Sequence, residues 1–387
     1  MRKPLSSQGG SVRTAGDETL SKELAKALAR SSEERDTLTH GFHSYPARMH
    51  PSIANEILSG HEDGLVVDPF CGSGTVLVEA RVAGHRALGV DLSPLAVWIA
   101  EAKTDVRSDA YRASFRALVR SIGERSEERV RSRVDARAPI PKSELRWWGP
   151  HVLKELAGLR EEILDVSDRP NRRMLGMVFS SILVKVSKQR SDTAMREETK
   201  RIRKGLSTEF FVRKGLELAD RWEALAEATG RSSPRPTIRE GDALELKRFV
   251  PKGAKASLIL ASPPYGGTYD YVDHHARRYA WLDLDARKLE RGEIGARRHF
   301  QDERDEARWD RQVVQMLRAM EAVLAKDGRI VLLVGDGQIG SRRVDAIGQL
   351  RRLAPRARLE ARAAASQLRP DFTGGKKRRE HLILLTR

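Results

Sequence analysis

The apolar run Leu65-Val66-Val67 breaks into Asp68-Pro69-Phe70-Cys71-Gly72-Ser73-Gly74-Thr75, and few folds accept such a passage. A strand that ends on an acid and turns through two glycines lets backbone N–H groups approach a ligand with no Cβ in the way. Val76, Leu77 and Ala80 then carry a helix, Gly84 closes it, and Arg86 to Asp91 gives a second strand. Strand, turn, helix and strand in that order make half of a doubly wound sheet. The alternation resumes near Ile238, with strands predicted at 257–261, 329–334 and 381–386 and a helix over 303–325. The last strand is expected to pair with one near 357–363. The fold class is therefore α/β, a doubly wound Rossmann-like sheet with an inserted helical subdomain.

Four stretches follow. Residues 1–40 read as a mobile tail, rich in Ser, Gly, Arg and Lys, with a short helix at Glu23 to Arg30. Residues 41–104 form the first half of the sheet domain. Residues 105–235 are polar helices with apolar faces such as Leu153-Leu156-Leu159-Ile163, and residues 236–387 form the second half of the sheet domain. The chain carries a net charge of +17. The helical stretch holds over half of it, with 28 basic against 18 acidic residues in 110–235. That balance favours a polyanionic partner, nucleic acid above all. One cysteine leaves no disulfide framework within the chain and no Cys-based zinc cluster. Without a signal peptide or an apolar run near 18 residues, a cytoplasmic protein with no membrane partner is expected.

The glycine turn departs from G-x-G-x-x-G and lacks the G-K-[ST] ending of a phosphate loop. An acid at its start suits a ligand amine, which makes Asp68 a candidate for the ammonium of S-adenosylmethionine. Pro69, Phe70, Gly72, Ser73, Gly74 and Thr75 complete that turn. Asp91, with Leu92 beside it, stands at the tip of the second strand, where an acid accepts ribose hydroxyls. Asp242 has two readings, an acceptor for the adenine amine or a surface turn residue. Downstream, Leu258-Ile259-Leu260-Ala261 runs into Ser262-Pro263-Pro264-Tyr265. The amine of a nucleobase is a poor nucleophile because its lone pair is delocalised into the ring. Two acceptors, Ser262 Oγ and the Pro263 carbonyl, can hold its N–H bonds and free that lone pair. Pro263 and Pro264 fix the backbone, and Tyr265 offers a face for stacking. The two motifs together imply methyl transfer from S-adenosylmethionine to an exocyclic base amine, driven by positioning and by stabilised charge.

On these residues the chain resembles the amino-methyltransferases that modify DNA at cytosine N4 or adenine N6. The segment Tyr45-Pro46-Ala47-Arg48-Met49-His50-Pro51 resembles the motif those enzymes set beside the methionine end of the cofactor, which makes Tyr45, Pro46 and Ala47 cofactor-binding candidates. In that family Ser at the position of Ser262 is commoner among cytosine-N4 enzymes, so the resemblance tilts the target toward cytosine. Adenine N6 is the first alternative. A guanine-N2 tRNA methyltransferase is the next, although fewer than 70 residues precede the cofactor turn, and an inactive nucleic-acid-binding relative of the same fold is the last. The resemblance also implies a flipped base and admits a cognate restriction or defence partner; the oligomeric state stays open. One departure concerns residues 105–235, since the family's target-recognition domain usually sits elsewhere in the motif order. These helices read either as a DNA reader or as a cap over the cofactor.

Cys71 lies inside the cofactor turn and follows Phe70, unlike the proline-led nucleophile of cytosine-C5 enzymes. His274 and His275 do not make a metal set, and none is expected. Tyr269 and Tyr271 are candidates to wall a flipped base, and Trp147-Trp148 reads as a half-buried helix start. Lys376, Lys377, Arg378 and Arg379, on a loop at the substrate end of the sheet, are candidates for phosphate contact.

Overall fold

Leu65, Val66 and Val67 are buried on both sides, as a central parallel strand requires. Leu65 and Val67 join one apolar core, while Val66 joins another on the opposite face. The computed structural model describes residues 10–32, 36–193, 196–230, 233–370 and 377–387.

The chain opens with strand β1 (Arg13–Gly16) and helix α1 (Glu18–Ala29), then α2 (Pro51–Ser59). The first half of the sheet domain is β2 (Leu65–Asp68), α3 (Thr75–Val82), β3 (Arg86–Asp91) and α4 (Pro94–Thr104). Four long helices follow: α5 (Asp109–Arg131), α6 (Pro150–Leu164), α7 (Arg169–Ile182) and α8 (Leu206–Ala228). The chain re-enters the sheet at β4 (Thr237–Glu240) and β5 (Ala256–Ala261), then runs through α9 (Tyr271–Leu282), α10 (Arg287–Gly292) and α11 (Glu306–Val323). It closes with β6 (Leu324–Gly335), the hairpin β7 (Gly337–Ile339) and β8 (Arg342–Val344), α12 (Ala346–Leu353), β9 (Glu360–Pro370) and β10 (Lys377–Thr386).

The sheet has eight strands in the order β1-β9-β10-β6-β5-β2-β3-β4. Pairing is parallel from β4 to β6, and antiparallel where β10 joins β6, β9 joins β10 and β1 joins β9. The strand order reverses between β2 and β5, and ligands of open α/β sheets lie outside the strand ends at such a reversal. Helices α11 and α12 cover one face, and α1, α2 and α3 the other.

The tail expected for residues 1–40 needs correction. Arg13–Gly16 is an edge strand whose residues pair with Ala363 to Ser366, and α1 begins at Glu18, capped by Asp17. The stretch was hard to read because an edge strand owes its place to one row of backbone hydrogen bonds, and Arg-Thr-Ala-Gly shows no apolar alternation.

The helices of 105–235 enclose a core of their own that includes Phe115, Leu156, Phe179 and Trp222. That core also takes in Leu95 and Ile99 of α4 and Tyr279 and Trp281 of α9. It is continuous with the sheet domain through α4, whose Val97 and Ala100 face the sheet. Trp147 and Trp148 are fully buried in it, more deeply than a half-buried helix start.

Candidate active site

The turn after β2 is held by its own backbone. Asp68 Oδ1 accepts the Phe70 N–H at 3.1 Å, the Cys71 N–H reaches the Val90 carbonyl at 3.0 Å, and the Gly74 N–H reaches the Cys71 carbonyl at 2.7 Å. Gly72 and Gly74 take φ of 48° and 80°, a region that favours glycine. At Gly74 a Cβ would also stand 2.9 Å from Ala100 Cβ, so this glycine lets α3 pack against α4.

Asp91 is the hub. Its Oδ2 accepts the Gly72 N–H and its Oδ1 the Ser93 N–H, each at 2.8 Å. Each oxygen keeps a lone pair for a further donor, the valence that two ribose hydroxyls need. Burial pushes the Asp91 carboxyl up to about 6, against the pull of the Ser93 and Gly72 N–H groups. Burial also pushes Asp68 up to about 8; the Phe70 N–H opposes this and neighbouring Asp91 adds to it. Ser73 Oγ and Thr75 Oγ1 are buried here with no hydrogen-bond partner among the described residues. Such groups are costly unless a ligand satisfies them.

These residues line an open cavity of about 870 Å³. Of the cofactor candidates, Tyr45, Pro46, Ala47, Asp68, Pro69 and Phe70 reach it, as do Gly72, Ser73, Thr75, Asp91, Leu92 and Asp242. Gly74 stays behind, under α4. Asp242 borders the cavity, and its Oδ1 accepts the Leu244 N–H at 2.8 Å. Ala47 is held at φ 54°, uncommon outside glycine and a form of strain that gathers at functional sites.

The second motif divides at Pro264. Ser262 and Pro264 line the large cavity, while Pro263, Pro264 and Tyr265 line a smaller one of about 380 Å³. Tyr265 lies against Gly335, where a Cβ would come within 2.8 Å of its ring. Burial raises its hydroxyl above the ordinary tyrosine range, so Tyr265 stays neutral.

The far wall is carried by residues with no motif. Leu289, Gly292, Glu293 and Ile294 line the cavity, and Gly292 leaves room for Leu92, which a Cβ would meet at 2.7 Å. Glu293 accepts the Tyr271 N–H and an Arg298 N–H, each at 2.6 Å; burial raises its carboxyl while Arg298 opposes. Tyr271 lines the cavity and stacks on Tyr45 with ring centroids 6.2 Å apart, and His275 lies against Tyr45 at 5.0 Å. Cys71, buried, has its thiol pushed well above its usual range by burial, which disfavours a thiolate nucleophile.

The helical stretch touches this site through a cluster around the buried Arg278. Arg278, 2% exposed, pairs with Asp192 and donates to Ser44 Oγ at 3.3 Å; Ser44 Oγ in turn donates to Asp192 at 2.7 Å. Beside it His43 Nε2 meets Ser180 Oγ at 2.9 Å. The loop after α7 is thereby fastened to the residue that precedes Tyr45.

Among the basic candidates, Lys376 lies outside the described residues, as does the side chain of Lys377. Arg378 reaches Thr268 Oγ1 at 3.4 Å, beyond the Ser262 motif, and Arg379 is exposed. Among the described residues no His, Cys, Asp and Glu cluster is placed to hold a metal ion, and no helix is long and apolar enough to cross a membrane.

A sheet reversal that opens on a glycine turn, an acid at the next strand tip, and Ser262 and Pro264 on the wall of the same cavity make a cleft of the kind that Rossmann-like methyltransferases use for S-adenosylmethionine. The UPF0020 family (RMKL-like, methyltransferase domain) matches residues 42–120. The Type II methyltransferase M.MvaI of Kocuria varians is 27% identical over 266 residues, covering 64% of this chain and 58% of its own. The Type II methyltransferase M.MjaII of Methanocaldococcus jannaschii is 37% identical over 75 residues, covering 19% and 14%. The chain thus spans little more than half the length of the first relative and a seventh of the second. Among solved structures, TrmN from Thermus thermophilus has a TM-score of 0.31 at 16% identity, over 88% of this chain and 49% of that one. The rRNA methyltransferase aviRa from Streptomyces viridochromogenes has a TM-score of 0.34 at 13% identity, over 91% and 94%. These sequence similarities, each over part of the chain, are to methyltransferases, whose methyl donor is S-adenosylmethionine.

Proposed function

We propose that this protein methylates the exocyclic amine of a flipped base in double-stranded DNA, with cytosine N4 as the target. The observation that carries the reading is the shared cavity: Ser262 and Pro264 stand on the same wall system as Asp68, Asp91 and the orphaned hydroxyls of Ser73 and Thr75. Cofactor and amine would therefore meet without a domain movement. The similarity to Type II methyltransferases and the resemblance of the motifs to DNA amino-methyltransferases support DNA as the substrate.

The residues fit the donor. Asp91 would take its ribose hydroxyls, Ser73 and Thr75 would donate to its carboxylate, and Asp68 would face its ammonium. When bound, S-adenosylmethionine supplies an electrophilic methyl. Ser262 Oγ and the Pro263 carbonyl accept the amine's N–H bonds, turn its lone pair toward the cofactor side of the cavity and disperse the positive charge that develops on nitrogen. Tyr265, neutral and backed by Gly335, gives the base a rigid surface at the Pro264 boundary between the two cavities. Holding the amine within about 3–3.5 Å of its target accounts for most of the expected rate gain.

Mass spectrometry of nucleosides from methyl-free DNA treated with the protein and S-adenosylmethionine tests this, with a tRNA pool in parallel. N4-methylcytosine is expected. N6-methyladenine would keep the family and correct the base, and methylguanosine in tRNA alone would overturn the DNA reading.

A further inference from the structure

Beyond the active site, a groove of about 910 Å³ opens between α4, α6, α7 and the C-terminal end of α9. Its walls carry Trp98 and Trp281, and four guanidinium groups stand around it: Arg160, Arg169, Arg172 and Arg173. Two of them are held in place. Arg173 lies 4.9 Å over the Trp98 ring and pairs with Glu101 at 2.5 Å, while Arg160 donates to the Trp281 carbonyl at 3.0 Å. The other two are available: Arg169 and Arg172 have no carboxylate partner among the described residues, although Arg172 reaches the Leu164 carbonyl at 3.4 Å. Arg169, Arg172 and Arg173 share one face of α7 at i, i+3 and i+4.

We infer that this groove seats a backbone phosphate of the DNA strand that flanks the target base. The inference rests on the DNA reading above and adds a contact to it. Arg173, fixed over the Trp98 ring, beside Arg169 and Arg172, which no carboxylate matches among the described residues, gives a cluster of planar donors suited to a phosphodiester. Helix α9 joins the two places. Tyr271 at its start lines the active-site cavity, and Trp281 near its end lines the groove. Ten residues of helix span about 15 Å, the rise of about four to five base pairs along a duplex. The groove thus belongs to the flank of a target site and would contribute affinity with no sequence information.

The test uses the full chain. Equilibrium binding to duplexes of unrelated sequence is measured against salt for the wild type, for Arg169→Ala/Arg172→Ala and for Arg169→Lys/Arg172→Lys. Cofactor affinity serves as the check on folding. Both arginines serve one phosphate, so losing that contact should make the slope of log affinity on log salt shallower by about 0.9. The loss should be the same for every duplex, with cofactor affinity unchanged, and the lysine pair should keep the slope. An unchanged slope in the alanine pair, from a wild type that methylates DNA, would overturn the groove and leave the DNA reading standing. A wild type that binds cofactor but neither binds nor methylates DNA would remove both. A mononucleotide that binds through Arg169 and Arg172 without affecting duplex binding would overturn the inference in favour of a small-molecule site.

Discussion

The cofactor half and the helical stretch are built on opposite economies. Around β2 and β3 the geometry is set by backbone: Asp91 accepts two turn N–H groups, Gly72 and Gly74 sit at positive φ, and few side-chain substitutions would be silent. In 105–235 shape comes from an apolar core, and the charged surface is largely matched within itself. Glu162 takes both Arg125 and Arg129, and Arg116 bridges Asp220 at 2.7 Å and Glu223 at 3.0 Å. A large net charge therefore says little about how much charge is free to meet a partner. What matters is which arginines the fold leaves unmatched, and Arg169 and Arg172 are two of them.

The comparison breaks most visibly at the chemistry. Ser262→Ala should cut methyl transfer by about 10²–10³-fold with cofactor affinity retained, because it removes one acceptor of developing charge and nothing that holds the donor. Loss of cofactor binding in that variant, read by calorimetry, would mean that Ser262 belongs to the other side of the cavity. Next comes the joint between the two regions. Asp192→Ala strands the buried Arg278 guanidinium, whose pKa burial already lowers to about 9, and should cost about 3–5 kcal/mol in chemical denaturation. It should also weaken cofactor binding by freeing Ser44 beside Tyr45. An equal loss of stability with cofactor affinity intact would reduce the joint to a structural clasp.

Gly74→Ala should cost about 1–2 kcal/mol for its backbone conformation alone, with the 2.9 Å approach to Ala100 added. Gly205 provides the contrast: also at positive φ, it has nothing within 4 Å of where a Cβ would stand, so Gly205→Ala in the helical stretch should cost only the backbone share. The smallest effect concerns pH. The folded-state pKa of Asp68 is raised from 3.8 to about 8, so the stability that its proton contributes is complete below about pH 4 and lost as pH rises through 8. Asp68→Asn keeps an acceptor for the Phe70 N–H and removes that loss. Its melting temperature without cofactor should exceed the wild type's by about 2–4 °C at pH 8 and converge with it toward pH 4. A constant offset at every pH would show that Asp68 is ionised in the folded protein.

The parts legible in the sequence were those in which residue type and backbone demand coincide. Glycines at 72 and 74, an acid at a strand tip and two prolines after an apolar run each answer a local requirement, and the strands near 257–261, 329–334 and 381–386 have the β-branched, apolar character of buried strands. The far wall of the cavity had no such signature. Leu289, Gly292, Glu293 and Ile294 matter only because tertiary packing swings them against Leu92 and Tyr271, and the short helix that carries the first two, Arg287–Gly292, is mostly charged. Glu293 offered the one clue, an acid beside Gly292, but its Arg298 and Tyr271 partners cannot be found without the fold. The groove at Trp98 was equally hidden, since it draws on four helices, and α4 and α9 are far in sequence from α6 and α7.

The cavity itself gathers well-separated stretches of chain, from Tyr45 at one end to Ile294 at the other. No shorter stretch encloses it. During synthesis at roughly 5–20 residues per second, the β2 turn leaves the ribosome well before Glu293 exists to close the opposite wall. Capture of S-adenosylmethionine thus becomes a late event in the life of the nascent chain, and cofactor binding reports that the two walls of the cavity have met.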